Sequence, residues 1–197
     1  MARARDLAQA LGDDLGQAQA HHTLGFVSEQ QGDREQAMEH AERALALYRE
    51  AGHEAGQAKS LNAIGWFHAQ DGRYADAVAH CEQALTLLRC IDDRYGQAHT
   101  WDSIGFARQR LGEHDGAITC YDKALGMFRE LGDRRYEAEV LAHLGDARLE
   151  AGQAGAAQTA WLVAASILEE LGHAKEAEEV RARLRNTKQG QPHRGHP

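Results

Sequence analysis

Proline is nearly absent: there are two in 197 residues, Pro192 and Pro197, both in the last six positions. Proline removes a backbone donor and breaks helix interiors, so residues 1–191 can run through long helices uninterrupted. Cysteine is also sparse. Cys81, Cys90 and Cys120 are the full set, without metal-ligand spacing, which suits a reducing compartment and excludes a disulfide framework. Aromatics make up only 6%, and β-branched residues are few, against the needs of four-stranded propeller blades. No apolar run approaches the ~20 residues needed to cross a bilayer. The opening MARARDLAQALG lacks an apolar h-region and does not read as a signal peptide. Lys and Arg number 22 against 30 Asp and Glu, for a net charge of −8. A nucleic-acid grip calls for a clustered basic face, so neither direct nucleic-acid binding nor a membrane role is expected. The location expected is cytoplasmic.

What is present is a register. Leu24-Gly25, Ile64-Gly65, Ile104-Gly105 and Leu144-Gly145 recur every 40 residues. Gly32, Gly72, Gly112 and Gly152 keep the same period, as do Ala37, Ala77, Ala117 and Ala157, and Ala44, Ala84, Ala124 and Ala164. Gly12, Gly52, Gly132 and Gly172 mark the joins, with Asp92 standing in at the third. A fixed period of this size means a solenoid or a propeller. The interior decides between them. Ala37, Ala41, Ala44, Leu45 and Tyr48 fall at three- and four-residue steps, which is one face of a helix. Each unit therefore reads as two helices, broken near residues 31–33, 71–73, 111–113 and 151–153. Asp33, Asp71 and Asp133 stand where an N-cap or first-turn carboxylate helps. Gly25 and Ala37 let two backbones approach. The sets ending in Tyr48, Leu88, Phe128 and Leu168 fill the gap between successive units.

Trp101, Ile104, Gly105, Ala117, Tyr121 and Ala124 resemble the tetratricopeptide repeat (TPR) pattern, W-x2-L-G-x2-Y…A-x3-F…A. The expected Tyr is Arg108 here, and Ser28, His68 and Arg148 in the other units; no Pro closes a repeat. The period of 40 exceeds the usual 34. HEAT repeats share that length but lack the Leu-Gly…Ala…Ala-Leu frame. The segment from His99 to Gly152 looks like the 40-residue TPRs at the C-terminal end of actinobacterial SARP/AfsR-like and NB-ARC transcriptional regulators. LEELGHAKEAEEVRARL is similar to the closing segment of those proteins. The resemblance covers nearly all of residues 1–185. It implies an all-α, right-handed TPR solenoid of antiparallel helix pairs.

In chain order, residues 1–12 align with the latter half of a second helix, as in AERALALYREAG. They read as a half-repeat or N-terminal cap helix, and the half-repeat reading makes the chain a fragment of a longer protein. Four repeats follow at 13–52, 53–92, 93–132 and 133–172. A polar cap helix occupies 173–186, as the end of a repeat array requires. Residues 187–197 mix Gly, Pro and polar side chains and read as a disordered tail.

Corresponding positions on the first helices form columns: Phe26, Trp66, Phe106, Asp146; His22, Asn62, Asp102, Ala142; Gln19, Lys59, His99, Glu139. Their i, i+3 and i+7 spacing puts all three on one face, which in TPR solenoids is the inner, concave one. The expected partner groove is His22, Phe26, Lys59, Asn62, Trp66, His99, Asp102, Phe106 and Asp146. Three aromatics and an acid would suit a protein or peptide partner; the competing reading packs the aromatics between neighbouring first helices. Lys59 and Asn62 are similar to the TPR clamp for a peptide carboxylate, but Asp102, Glu139 and Asp146 oppose such a clamp. Twelve histidines include His21-His22, His193 and His196, without a metal-ligand motif. No catalytic residue, cofactor or metal is expected, and Cys81 reads as packing. The function expected is recognition, in the partner- or effector-sensing region of a transcriptional regulator. The rivals are a self-association scaffold, with a homodimer route through the N-terminal half-repeat, and a small-molecule-sensing groove.

Overall fold

The structure, a computed structural model, describes residues 13–188. The half-repeat expected at 1–12, and the tail from 189 onward, lie outside the described residues. Among those described there are nine α-helices and no strand. They are α1 (Asp14–Gln30), α2 (Arg34–Glu50), α3 (Glu54–Gln70), α4 (Tyr74–Cys90), α5 (Arg94–Arg110), α6 (His114–Leu131), α7 (Arg134–Glu150), α8 (Ala154–Glu170) and α9 (Ala174–Lys188). This is the all-α helical-repeat fold that the register requires. The cap helix α9 runs on through Thr187 and Lys188, two residues that the tail had been expected to include.

The first eight helices end in the same way. The Asp33 N–H donates to the Ser28 carbonyl at 2.9 Å, and His53, Arg73, Asp93, Glu113, Asp133, Gln153 and His173 repeat that bond five residues back. The closure needs a left-handed residue just before the donor. Gly32, Gly52, Gly72, Gly112, Gly132, Gly152 and Gly172 supply it, with φ between 63° and 80°. Asp92 takes the same role at φ 53°, the one non-glycine with positive φ among the described residues. Asp and Asn tolerate that region better than other side chains, so the register survives the missing glycine.

Helix starts differ from expectation at one acid. Asp33 and Asp133 cap α2 and α7, each accepting from the backbone N–H three residues on at 3.1 Å. Asp13 and Asp93 do the same at 2.8 Å. Asp71 is no N-cap: it sits at the C-terminal end of α3, and its carboxylate lies 3.8 Å from Arg34. The turn after α3 is two residues long, so Arg73 takes the cap position of α4. At α3 the cap is His53, whose ring Nδ1 accepts from the Gly56 N–H at 2.9 Å.

The helices pack as two compact units that divide between Ala107 and Arg108, within α5. In the first, Ala37, Leu45, Ala58, Leu61, Ile64 and Leu88 form a continuous core across α2, α3 and α4. The Tyr48 ring lies over Gly56, where an added Cβ would stand 2.3 Å from it, and Leu88 lies over Gly96 in the same way. In the second unit Phe128 stacks on Tyr136 at 5.2 Å. The last turn of each second helix thus docks on the first turn of the next helix.

Candidate functional site

The first helices of the first unit carry eight of the nine residues expected to line the groove. Phe26 on α1 is 60% exposed, the most open large apolar side chain among the described residues. One turn further on, Glu29 accepts from Trp66 Nε1 at 2.7 Å and from Gln70 Nε2 at 2.8 Å. The carboxylate therefore ties α1 to α3 along the edge that Phe26 occupies. Trp66 is half-buried against the Leu61 and Ile64 core. Its ring lies 5.4 Å from that of Phe106, tilted by 51°, and Phe106 in turn packs on Ala69, Ala77 and Ala107. Trp66 and Phe106 are thus packed between neighbouring first helices while keeping one side open. Glu29 and Gln70 were not among the expected residues, although their places one turn beyond Phe26 and Trp66 put them on the same face.

Polar groups border this strip. His22 is half-buried; burial, and then the charge of Lys59, push its imidazole below the usual range. It is therefore neutral at pH 7, and the exposed Lys59 ammonium is the cation at this edge. Asn62 Oδ1 accepts the Cys81 thiol at 3.6 Å, which turns the amide N–H donors of Asn62 the other way. Cys81 itself is buried, and its thiol is pushed up to about 12 by burial and by Glu82. It is a packing donor and not a thiolate nucleophile. His99 meets Tyr95 edge-on at 4.6 Å, and Asp102 is half-buried.

Asp146 is placed differently. It belongs to the second unit, where its carboxylate accepts from Arg183 of α9 at 2.7 Å and from Trp161 Nε1 at 3.2 Å. Arg183 and Trp161 also donate to the Ala142 carbonyl. The cap helix therefore covers, in the fourth repeat, the two column positions that end in Asp146 and Ala142. Among the described residues no group of three or more His, Cys, Asp or Glu side chains could hold a metal ion. No described helix is long and apolar enough to cross a membrane.

The helix pairs, the Leu/Ile-Gly contacts and the glycine joins are those of one known repeat. The tetratricopeptide repeat model matches residues 17–89 and 96–170, most of the chain. The chain is a member of the tetratricopeptide repeat family. Solved structures share this TPR fold. The apo form of RapI superposes with a TM-score of 0.76 at 16% identity over 83% of this chain and 60% of RapI. BtubC (BKLC) from P. vanneervenii gives 0.69 at 18% identity over 94% and 68% of the two chains. A Rap protein complexed with competence and sporulation factor gives 0.73 at 18% identity, over 83% of this chain and 46% of that one. The TPR chain thus spans less than two thirds of RapI and less than half of the Rap protein in the complex. No curated protein matches it.

Proposed function

We propose that this TPR chain is a protein- or peptide-recognition module whose ligand lies along the first helices of the first unit. The observation that carries this reading is Phe26: a phenylalanine 60% exposed, one turn before the Glu29 that holds Trp66 of the half-open Trp66–Phe106 pair. Exposed apolar side chains grouped in this way mark interaction surfaces. Lys59, the Asn62 amide, His99 and Asp102 supply the polar border that fixes orientation. An extended or helical segment with an apolar anchor for Phe26 and Trp66, and an acidic group for Lys59, matches this surface. The module's own role is binding rather than catalysis, in the cytoplasm.

The wider setting proposed is the C-terminal partner- or effector-sensing region of an actinobacterial transcriptional regulator. The 40-residue period and the closing segment support it, through their resemblance to SARP/AfsR-like and NB-ARC regulators. The Rap protein bound to competence and sporulation factor is compatible with the reading, at the level of fold. A DNA-binding or nucleotide-binding region encoded directly upstream of Met1 would strengthen it, and an unrelated genomic setting would remove it.

The binding site is tested with peptides selected from a random library on the full chain. Phe26→Ala removes an open side chain, so melting should stay unchanged while affinity falls tenfold or more, about 1.4 kcal/mol. Trp66→Ala should lower both, because that ring also packs and bonds Glu29. Selected peptides that bind the Phe26 variant as well as the parent would place recognition elsewhere.

A further inference from the structure

The second helices of the repeats face solvent with charge, except in the fourth repeat. The exposed pair that follows the inward residue at 41, 81, 121 and 161 is Glu42-Arg43 on α2, Glu82-Gln83 on α4 and Asp122-Lys123 on α6. On α8 it is Leu162-Val163, with Leu162 59% and Val163 40% exposed. Gly155, Thr159 and Ser166 are exposed on α8 along the same stripe, which is uncharged over three turns, as Ala75, Ala79 and Thr86 are on α4; the Leu162-Val163 pair is what sets α8 apart. The inner residues of the frame are unaffected, since Ala157, Trp161 and Ala164 are fully buried. The change is thus confined to the outward face, where packing within the chain does not call for it.

The stripe has an order that points to its partner. About a midpoint between Leu162 and Val163 it is self-complementary: Leu162 pairs with Val163, Thr159 with Ser166, and Gly155 with Glu170. An antiparallel copy of the same helix meets those pairings twice, which is the condition for a two-fold interface. The ends match in charge. Glu169 and Glu170 stand at the C-terminal end, held within the chain by Arg181, and by Arg134 and Ser166 respectively. The first turn of α8 has no acidic residue, and the side chain of its cap residue Gln153 does not cap the helix. In the antiparallel pair the two carboxylates of one copy come to the open, positive N-terminal end of the other, and Gly155 leaves room for Glu170.

We infer that α8 is a self-association surface, pairing antiparallel with α8 of a second copy of this chain through Leu162 and Val163. One helix face covers less than the roughly 800 Å² per partner of a standard interface, so the dimer is weak and concentration-dependent. It uses neither the first-helix face nor the N-terminal segment.

Sedimentation equilibrium of the full chain tests this over about 10–500 µM, the range a small interface calls for. The mass should rise from 21.7 kDa toward twice that value. Leu162→Glu, the residue type found at positions 42 and 82, should hold the chain monomeric with an unchanged helical spectrum and melting point. Val163→Lys should do the same. Mixing the two variants should restore the dimer, because the new Glu of one then faces the new Lys of the other while the second Leu–Val contact stays native. A parent chain that is monomeric throughout, or a Leu162→Glu chain that dimerises like the parent, overturns the proposal. Single variants that are both monomeric but do not recover on mixing overturn the antiparallel register.

Discussion

At Gly25, Gly65 and Gly145, the glycine that follows Leu or Ile in a first helix faces a position whose residue grows along the chain. Position 41 is Ala, 81 Cys and 161 Trp. An added Cβ at Gly25 would meet nothing closer than the Ala37 carbonyl oxygen at 3.2 Å. At Gly65 it would stand 2.5 Å from the Cys81 sulfur, and at Gly145 it would stand 2.4 Å from Trp161 Nε1. Trp161 cannot move aside, because it is fully buried and bonded to Asp146 and the Ala142 carbonyl. Gly145→Ala should therefore cost about 1–3 kcal/mol by overpacking, and Gly25→Ala markedly less. Urea unfolding of the two variants gives the ranking directly, and equal losses would contradict it. The Leu-Gly frame shows in the sequence that something comes close at each glycine. It does not show how close, because the opposing side chain is set by position and rotamer in the folded pair.

At the scale of the helix, α3 has an unusual start. Four described helices are capped by Asp, whereas α3 is capped by the ring Nδ1 of His53, which stacks on Tyr48 at 5.3 Å. Removing the acceptor leaves the Gly56 N–H without its bond. His53→Ala should cost about 1 kcal/mol, in the usual range for a lost N-cap. His53→Asp should keep the bond and add a favourable charge at the positive helix end. Thermal unfolding of both variants against the parent tests the assignment; an alanine variant as stable as the parent would show the cap to be idle. The helix boundaries were legible because the 40-residue glycine register carries the left-handed closures, and because Asp92 could substitute. Asp71 was misplaced because an acid near a boundary is not directional in sequence. Whether it precedes or follows the turn is decided by where the closing glycine falls, here at Gly72, after it.

For the molecule as a whole, two sets of buried groups give stability two dependences on pH. His22 and His68 lie in the first unit. Burial lowers the His68 pKa first, and Arg73 and His80 lower it further, while Asp76 and Asp71 oppose. Burial and Lys59 lower that of His22. Their folded values lie below the unfolded value near 6.5, so the unfolded chain takes up these protons first. The stability they contribute is present above about pH 6.5 and is lost as pH falls through the folded values. His68→Gln should flatten this part of the melting curve. Glu137 in the second unit accepts from Arg129 at 2.9 Å and Arg134 at 2.7 Å. Burial alone would raise its pKa, but the two arginines outweigh burial and lower it. Its contribution is full above about pH 4.5 and is lost as pH falls through the lowered folded value. A melting temperature flat from pH 7.5 to 5 would contradict the histidine assignment, and an Arg129→Ala variant with unchanged acid stability would contradict that of Glu137.

Helix content, the position of each turn and the membership of the repeat family followed from the sequence, because a repeat is a local unit whose glycines and alanines answer to their nearest neighbours. That His22 and Phe26 share one side of α1, and Lys59 and Trp66 one side of α3, follows from helical spacing alone. Which of them remain open was decided by tertiary structure. Phe26 stays exposed, Trp66 and Phe106 lean on one another, and Asp146 is taken by Arg183 from a helix 37 residues further along. These outcomes depend on the neighbouring helix and not on the residue's own, and a column of aligned positions contains no distance between helices. The apolar outward face of α8 is of the same kind. Leu162 and Val163 read as ordinary helix residues until the fold puts Trp161 inside and leaves them in solvent.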